Sequence, residues 1–111
     1  MMTSPSQAFV AFPGGFGTLD EVFEVLTLIQ THKMQPVAMI LIGKEFWSDL
    51  DAFIRKQLLT IHKTIEEKDT QIYSIVDTAE EAMDILKQRI VADEHVHNHE
   101  QKQRKKKVAR R

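Results

Sequence analysis

Cysteine is absent from the 111 residues, so disulfide scaffolds, thiolate metal sites and cysteine nucleophiles are excluded, and nothing argues for an oxidising compartment. Long apolar runs are absent too. No stretch approaches the roughly 18 residues of a membrane-spanning helix, and the opening MMTSPSQ has neither the basic region nor the apolar centre of an export signal. The expected location is the cytoplasm, with no membrane partner. Glycine and proline are scarce, at 4 and 3 residues, which rules out collagen-like and low-complexity chains. What is present, 42% hydrophobic and 28% charged residues, is the composition of a folded globular chain. The length suits one domain and not two.

The net charge of −1 conceals a division of the chain. Residues 1–92 carry 8 Lys/Arg against 13 Asp/Glu, whereas residues 93–111 carry 7 against 3. Apolar residues almost vanish at the same place, in ADEHVHNHEQKQRKKKVARR. We therefore divide the chain into a folded part, 1–92, and a basic, flexible tail, 93–111. His95, His97 and His99 alternate in that tail, but a polar, flexible segment supplies no fixed coordination geometry, and no metal or other cofactor is expected. The run Arg104-Lys105-Lys106-Lys107 has the charge to touch nucleic-acid phosphates. It has no interleaved aromatic residues and follows an acidic body, so the expectation is a solvated tail and not a nucleic-acid partner.

Within the folded part the apolar pattern alternates between strand and helix. Gln7–Phe12 is a short apolar run closed by Pro-Gly-Gly, the pattern of a buried strand ending in a turn. From Thr18 to His32, polar Asp20, Glu24, Thr27 and Thr31 trace one narrow stripe on an otherwise apolar helix, which predicts a mostly buried helix. Pro36 breaks the chain, and Val37–Ile42 (VAMILI) is apolar throughout, as in a strand covered on both faces. Trp47, Leu50, Ile54 and Leu58 mark a second helix over about residues 46–60. Ile72–Val76 reads as a third strand. Asp77 or Thr78 can cap a last helix with Ala79, Ala82, Met83, Leu86 and Ile90 inward. The order β-α-β-α-β-α predicts an α/β, Rossmann-like three-layer fold with a parallel sheet. The strand before the glycines ought to be central, with neighbours on both sides. Three strands cannot supply them, so the chain reads as the C-terminal half of a larger domain.

The chemistry gathers in Pro13-Gly14-Gly15-Phe16-Gly17-Thr18-Leu19-Asp20-Glu21. Glycines between a strand and a helix permit positive φ and close backbone approach, so amides and a helix N-terminus can face an anion. This is neither G-x-G-x-x-G nor the Walker pattern, which removes the main support for dinucleotide oxidoreduction or NTP hydrolysis. The string P-G-G-x-G-T-x-x-E, with VFEVLTLIQTHK, VAMILIG and Glu45-Phe46-Trp47 after it, resembles the LONELY GUY (LOG) family over about residues 7–91. These are the cytokinin riboside 5′-monophosphate phosphoribohydrolases, formerly labelled lysine decarboxylases. The resemblance implies a Rossmann-like fold, homodimers or higher assemblies, and hydrolysis of the N-glycosidic bond of a nucleoside 5′-monophosphate, AMP or a cytokinin riboside monophosphate. It assigns Gly14, Gly15, Gly17 and Thr18 to the phosphoribosyl group and Glu21 to catalysis. It also places a further glycine-rich segment and an Arg-Lys pair, whose arginine is the second catalytic residue, upstream of Met1. That departure leaves a second reading beside the enzyme: a truncated, non-catalytic module that binds phosphate, nucleotide or a partner chain.

Blander roles stand beside these. Thr18-Leu19-Asp20-Glu21 is also a capping box, in which Thr18 and Glu21 would satisfy each other's backbone amides. Against this, Glu21 lies about 100° around the helix from the polar stripe, on the side of Val25 and Leu28, where a carboxylate would be buried beside an anion site. Trp47, Phe46 and Phe53 are expected in the core. His32 and His62 are expected to cap or face solvent near helix ends.

Overall fold

The structure, a computed structural model, describes residues 8–92; the expected tail, 93–111, with its histidines and basic run, lies outside the described residues. The chain runs β1 (Ala8–Ala11), α1 (Phe16–Gln30), β2 (Ala38–Ile42), α2 (Lys44–Phe53), β3 (Tyr73–Val76) and α3 (79–92). The three strands form one parallel sheet in the order β1-β2-β3, with Ala8 opposite Ala38 and Met39 opposite Tyr73. This is the expected α/β Rossmann-like arrangement. No described helix is long and apolar enough to cross a membrane.

Among the described strands β2 lies in the middle, buried along its whole length. β1 pairs with β2 alone among the described residues, so it forms an edge. The physical reason is pairing capacity: VAMILI offers apolar side chains to both faces, and the chain brings one strand to each side of it.

Alternation along β2 separates two cores. Met39 and Leu41 point to a layer built from α1 and α2, where they meet Val22, Val25, Ile29, Trp47 and Ile54. Ile40 and Ile42 point the other way, towards Val76 and Ala82, with Ile85 and Leu86 of α3 against them. Trp47 is fully buried and donates its indole N–H to the Ile42 carbonyl at 3.0 Å, so its polar atom is satisfied.

The helices depart from expectation in instructive ways. α1 buries only the stripe Val22, Val25, Ile29; Phe23 and Glu21 are exposed with Asp20 and Glu24, so it is amphipathic and not mostly buried. It lies over β2 and an edge strand, and no described residue covers its outer side. At its end His32 takes a positive φ of 59°, the left-handed turn that commonly stops helices, and its N–H reaches the Ile29 carbonyl. α2 starts at Lys44, continues without a break into a π-helical stretch, Ile54–Ile61, and carries the expected apolar row with Trp47 and Ile54 buried. Phe46 and Phe53, expected in the core, are 38% and 56% exposed, because they fall outside that row. A short 3₁₀ turn, Glu67–Gln71, precedes β3. In α3, Ala82 is buried and Leu86 half-buried, whereas Ala79, Met83 and Ile90 of the expected inner face are exposed.

Candidate functional site at the strand ends

Parallel strands followed by helices bring three loops and three helix N-termini to one edge of the sheet. After β1 comes Phe12–Gly17, exposed throughout. After β2 comes Gly43, in the left-handed region at φ 114°, where a side chain would be strained and where an added Cβ would lie 3.1 Å from Pro13 Cγ. Pro13 therefore rests on the turn that starts α2. After β3 come Asp77 and Thr78.

The three N-termini are finished differently. Thr78 caps α3: the Glu81 N–H donates to Thr78 Oγ1 at 3.1 Å, and the Thr78 hydroxyl in turn donates to Glu81 Oε1 at 3.4 Å. Asp77 serves α2, accepting the Lys44 N–H at 2.9 Å. α1 begins at Gly15 with no side-chain cap. Its first described backbone bond runs from the Leu19 N–H to the Gly15 carbonyl at 3.2 Å, leaving the preceding amides of the first turn without an intrahelical acceptor. Of the three, the helix behind the glycines is the one whose first-turn amides meet no side-chain acceptor among the described residues, and it presents them with the positive end of its dipole.

The capping box that Thr18 and Glu21 could have formed, the blander of their two roles, does not form. The helix starts two residues earlier than the sequence suggested, so Thr18 lies inside the first turn and not at the N-cap. Thr18 has another task. A Cβ on Gly14 would come 2.3 Å from Thr18 Oγ1 and 2.9 Å from its Cβ, so glycine at 14 lets the threonine fold back over the loop. Gly15 and Gly17 are not required in this way. An added Cβ at either would meet nothing within 4 Å. No glycine of this loop has a positive φ; only Gly43 does, which corrects the expectation that the loop exploits left-handed backbone. Gly17 even stands inside α1, where glycine costs roughly 0.5–1 kcal/mol against alanine.

Glu21 lies one turn beyond Gly17, about 6 Å along the helix axis. It is exposed, in the company of Asp20 and Glu24, and not buried beside Val25 and Leu28 as the spacing suggested. The sequence reading missed a polar cluster on the other side of α2. There the Tyr73 hydroxyl donates to Asp51 Oδ1, and Arg55 Nε donates to both Asp51 oxygens at 3.0 and 3.1 Å. Burial first, then the bond to Asp51, pushes the tyrosine hydroxyl well above its ordinary value, and the same carboxylate raises Arg55. Asp51 and Arg55 are four apart on one helix, a spacing visible in sequence; that Tyr73 joins them is a tertiary fact.

The family profile described as possible lysine decarboxylase matches residues 1–86. The chain is 33% identical over 97 residues to the probable cytokinin riboside 5′-monophosphate phosphoribohydrolase LOGL3 of Oryza sativa subsp. japonica, covering 80% of this chain and 41% of the relative. It is 33% identical over 90 residues to LOG4 and 37% identical over 68 residues to LOG3, both cytokinin riboside 5′-monophosphate phosphoribohydrolases of Arabidopsis thaliana. These alignments cover 78% and 60% of this chain, and 38% and 27% of the respective relatives. The chain thus spans about two-fifths, or less, of the length of the curated relatives it matches. With its parallel sheet and its open glycine-led helix, the chain belongs to the LOG family, whose profile carries the older lysine decarboxylase description.

Proposed function

We propose that this chain supplies the phosphoribosyl-binding part of a nucleotide N-glycosidase, acting on AMP or a cytokinin riboside monophosphate and releasing the free base and ribose 5-phosphate. The observation that carries the reading is the uncapped start of α1 behind two glycines that its own fold does not require. A 5′-phosphate on those amides needs the space a Cβ would take at Gly15 and Gly17, while Gly14 allows Thr18 to bring its hydroxyl to the same loop. The ribose then lies along the first turns of α1, beside Glu21.

Breaking the bond from C1′ to the base sends its electron pair to the base and leaves positive charge on the ribose ring. The Glu21 carboxylate stabilises that charge or orients the water whose oxygen adds to C1′; the base leaves with a proton. The chain works as a homodimer or larger assembly. Phe16, 91% exposed beside the glycine loop, is apolar surface that such an assembly would cover. The second reading, a binding module without turnover, needs only the uncapped amides of α1 and not Glu21, which is exposed and has no described hydrogen bond.

Incubating the chain with AMP, while following adenine by chromatography and binding by ³¹P NMR, separates the two. Adenine release that disappears in Glu21→Gln, with the melting temperature unchanged, supports the enzyme. Binding without release supports the module. Absence of any AMP binding overturns both.

A further inference from the structure

A cleft of about 140 Å³ opens far from the glycine loop, between the second half of α1, the π-helical stretch and the segment entering β3. Leu26, Ile54, Leu58, Ile65 and Ile72 wall it. Its mouth is polar: Asp69 Oδ2 accepts the Gln30 side-chain N–H at 3.0 Å and the Glu66 backbone N–H at 2.9 Å. Asp69 Oδ1 has no donor among the described residues. Lys68 stands near but is paired with Glu66 at 3.3 Å, and Lys63 lines only the wider polar basin outside.

Two further observations bear on the cleft. Ile54 and Leu58 both come from the π-helical stretch. Such winding is rare in folded chains and concentrates at functional sites, and it keeps residues four apart from stacking as they do in an α-helix. The second is charge. α1 has no basic residue in its last turn, so the partial negative charge of its C-terminus, at Gln30, adds to that of Asp69.

From this geometry we propose a second small-molecule site that takes one aromatic ring bearing a primary amino group. Apolar cavities of about 150 Å³ accept a benzene-sized guest, which suits the ring to the aliphatic walls. The amino hydrogens go to the free Asp69 oxygen and to the Gln30 side-chain carbonyl. A neutral amine fits better than a cation, since the aliphatic walls would strip water from a charged group bound against them. The site lies at the end of the sheet opposite the glycine loop and does not depend on any reading of that loop.

Aniline and toluene have the same shape and differ in the amino group, so together they test the assignment. In an ¹⁵N-resolved NMR titration of the full chain, aniline is expected to saturate at about millimolar concentration, as befits so few atoms. Its shifts should fall on residues 23–30, 54–58 and 65–73. Toluene should bind the same residues about tenfold more weakly, the worth of a hydrogen bond to a charged acceptor. Asp69→Asn should erase aniline's advantage and leave toluene binding intact, an internal check that the cleft is still formed. Thr27→Trp, at the mouth, should block both. Equal affinity of the two probes for the unaltered chain, or shifts confined to the glycine loop, overturns the proposal. So does loss of aniline binding as protein concentration rises, which would show the cleft to be covered by a second copy.

Discussion

Gly17 distinguishes a residue kept for the fold from one kept for a ligand. It occupies the first turn of α1 with ordinary negative φ and open space where a Cβ would stand. Gly17→Ala should therefore stabilise the chain by roughly 0.5–1 kcal/mol, a rise of about 2–8 °C in Tm for a domain of this size. The same methyl group should weaken AMP binding in a ³¹P titration. A variant that is more stable and binds equally well would remove the phosphate role. Gly14 is the contrast. There the new Cβ would strike Thr18, so Gly14→Ala should cost about 1–3 kcal/mol by overpacking, seen as a lower Tm with or without nucleotide. Glu21 belongs with Gly17, among the residues kept for a ligand. Exposed and without a described hydrogen bond, it contributes nothing visible to the fold, and Glu21→Gln should leave Tm unchanged while base release stops.

At the scale of elements, the Tyr73 hydroxyl joins β3 to α2 through Asp51. Its raised pKa means that the folded state holds this proton more tightly than the unfolded chain does. The stability it contributes is complete below the unfolded value of about 10 and is lost as pH rises from there towards the folded value. Denaturation followed between pH 8 and 12 should show stability falling above about pH 10, and Tyr73→Phe should flatten that fall. At neutral pH the same variant should be less stable by about 1 kcal/mol, the worth of one hydrogen bond. A fall of equal steepness in the variant would assign the alkaline transition to other groups.

The elements also show what pattern can convey. VAMILI declares a strand buried on both faces because both registers of the alternation are apolar, and the row Trp47, Leu50, Ile54, Leu58 declares a helix because period and length agree. The Thr78 cap was legible for the same local reason. The identical T-x-x-E spelling at Thr18 misled, since three residues in sequence do not say where the preceding loop hands over to the helix; here it does so at Gly15. The exposure of Glu21 and Phe23 was illegible for a further reason. Helical periodicity records which side chains are apolar, but what covers them is decided by neighbouring elements, and nothing described lies over that side of α1. Neither the π winding after Phe53 nor the bond from Tyr73 to Asp51 has any one-dimensional signature. The cleft they border was accordingly absent from the sequence reading, whereas the glycine loop was found there entire.

At the scale of the whole molecule, the sheet is asymmetric in its protection. β1 and β3 each pair on one side only among the described residues, but β3 carries Ser74 and packs Val76 against α3, whereas β1 reads Ala-Phe-Val-Ala, with no polar or charged side chain. Val10 is 40% exposed and Phe12 is 61% exposed at its end. Folded proteins usually guard such an edge with lysine, proline or a bulge, because unpaired backbone groups beside apolar side chains invite another strand. None of these devices interrupts β1 itself, so the chain should associate reversibly at micromolar concentration. Val10→Lys puts a charge on the exposed edge while β2, which holds the core, is untouched. The variant should sediment as the smaller species at concentrations where the unaltered chain self-associates, with a stability change of no more than about 1 kcal/mol. Phe16→Ser, at the glycine loop, tests the other exposed apolar residue and keeps the strand edge intact. If Val10→Lys leaves the mass distribution unchanged and Phe16→Ser dissociates it, assembly runs through the glycine-loop end of the molecule. In that case the second copy would stand beside Glu21, and dilution should reduce turnover together with mass.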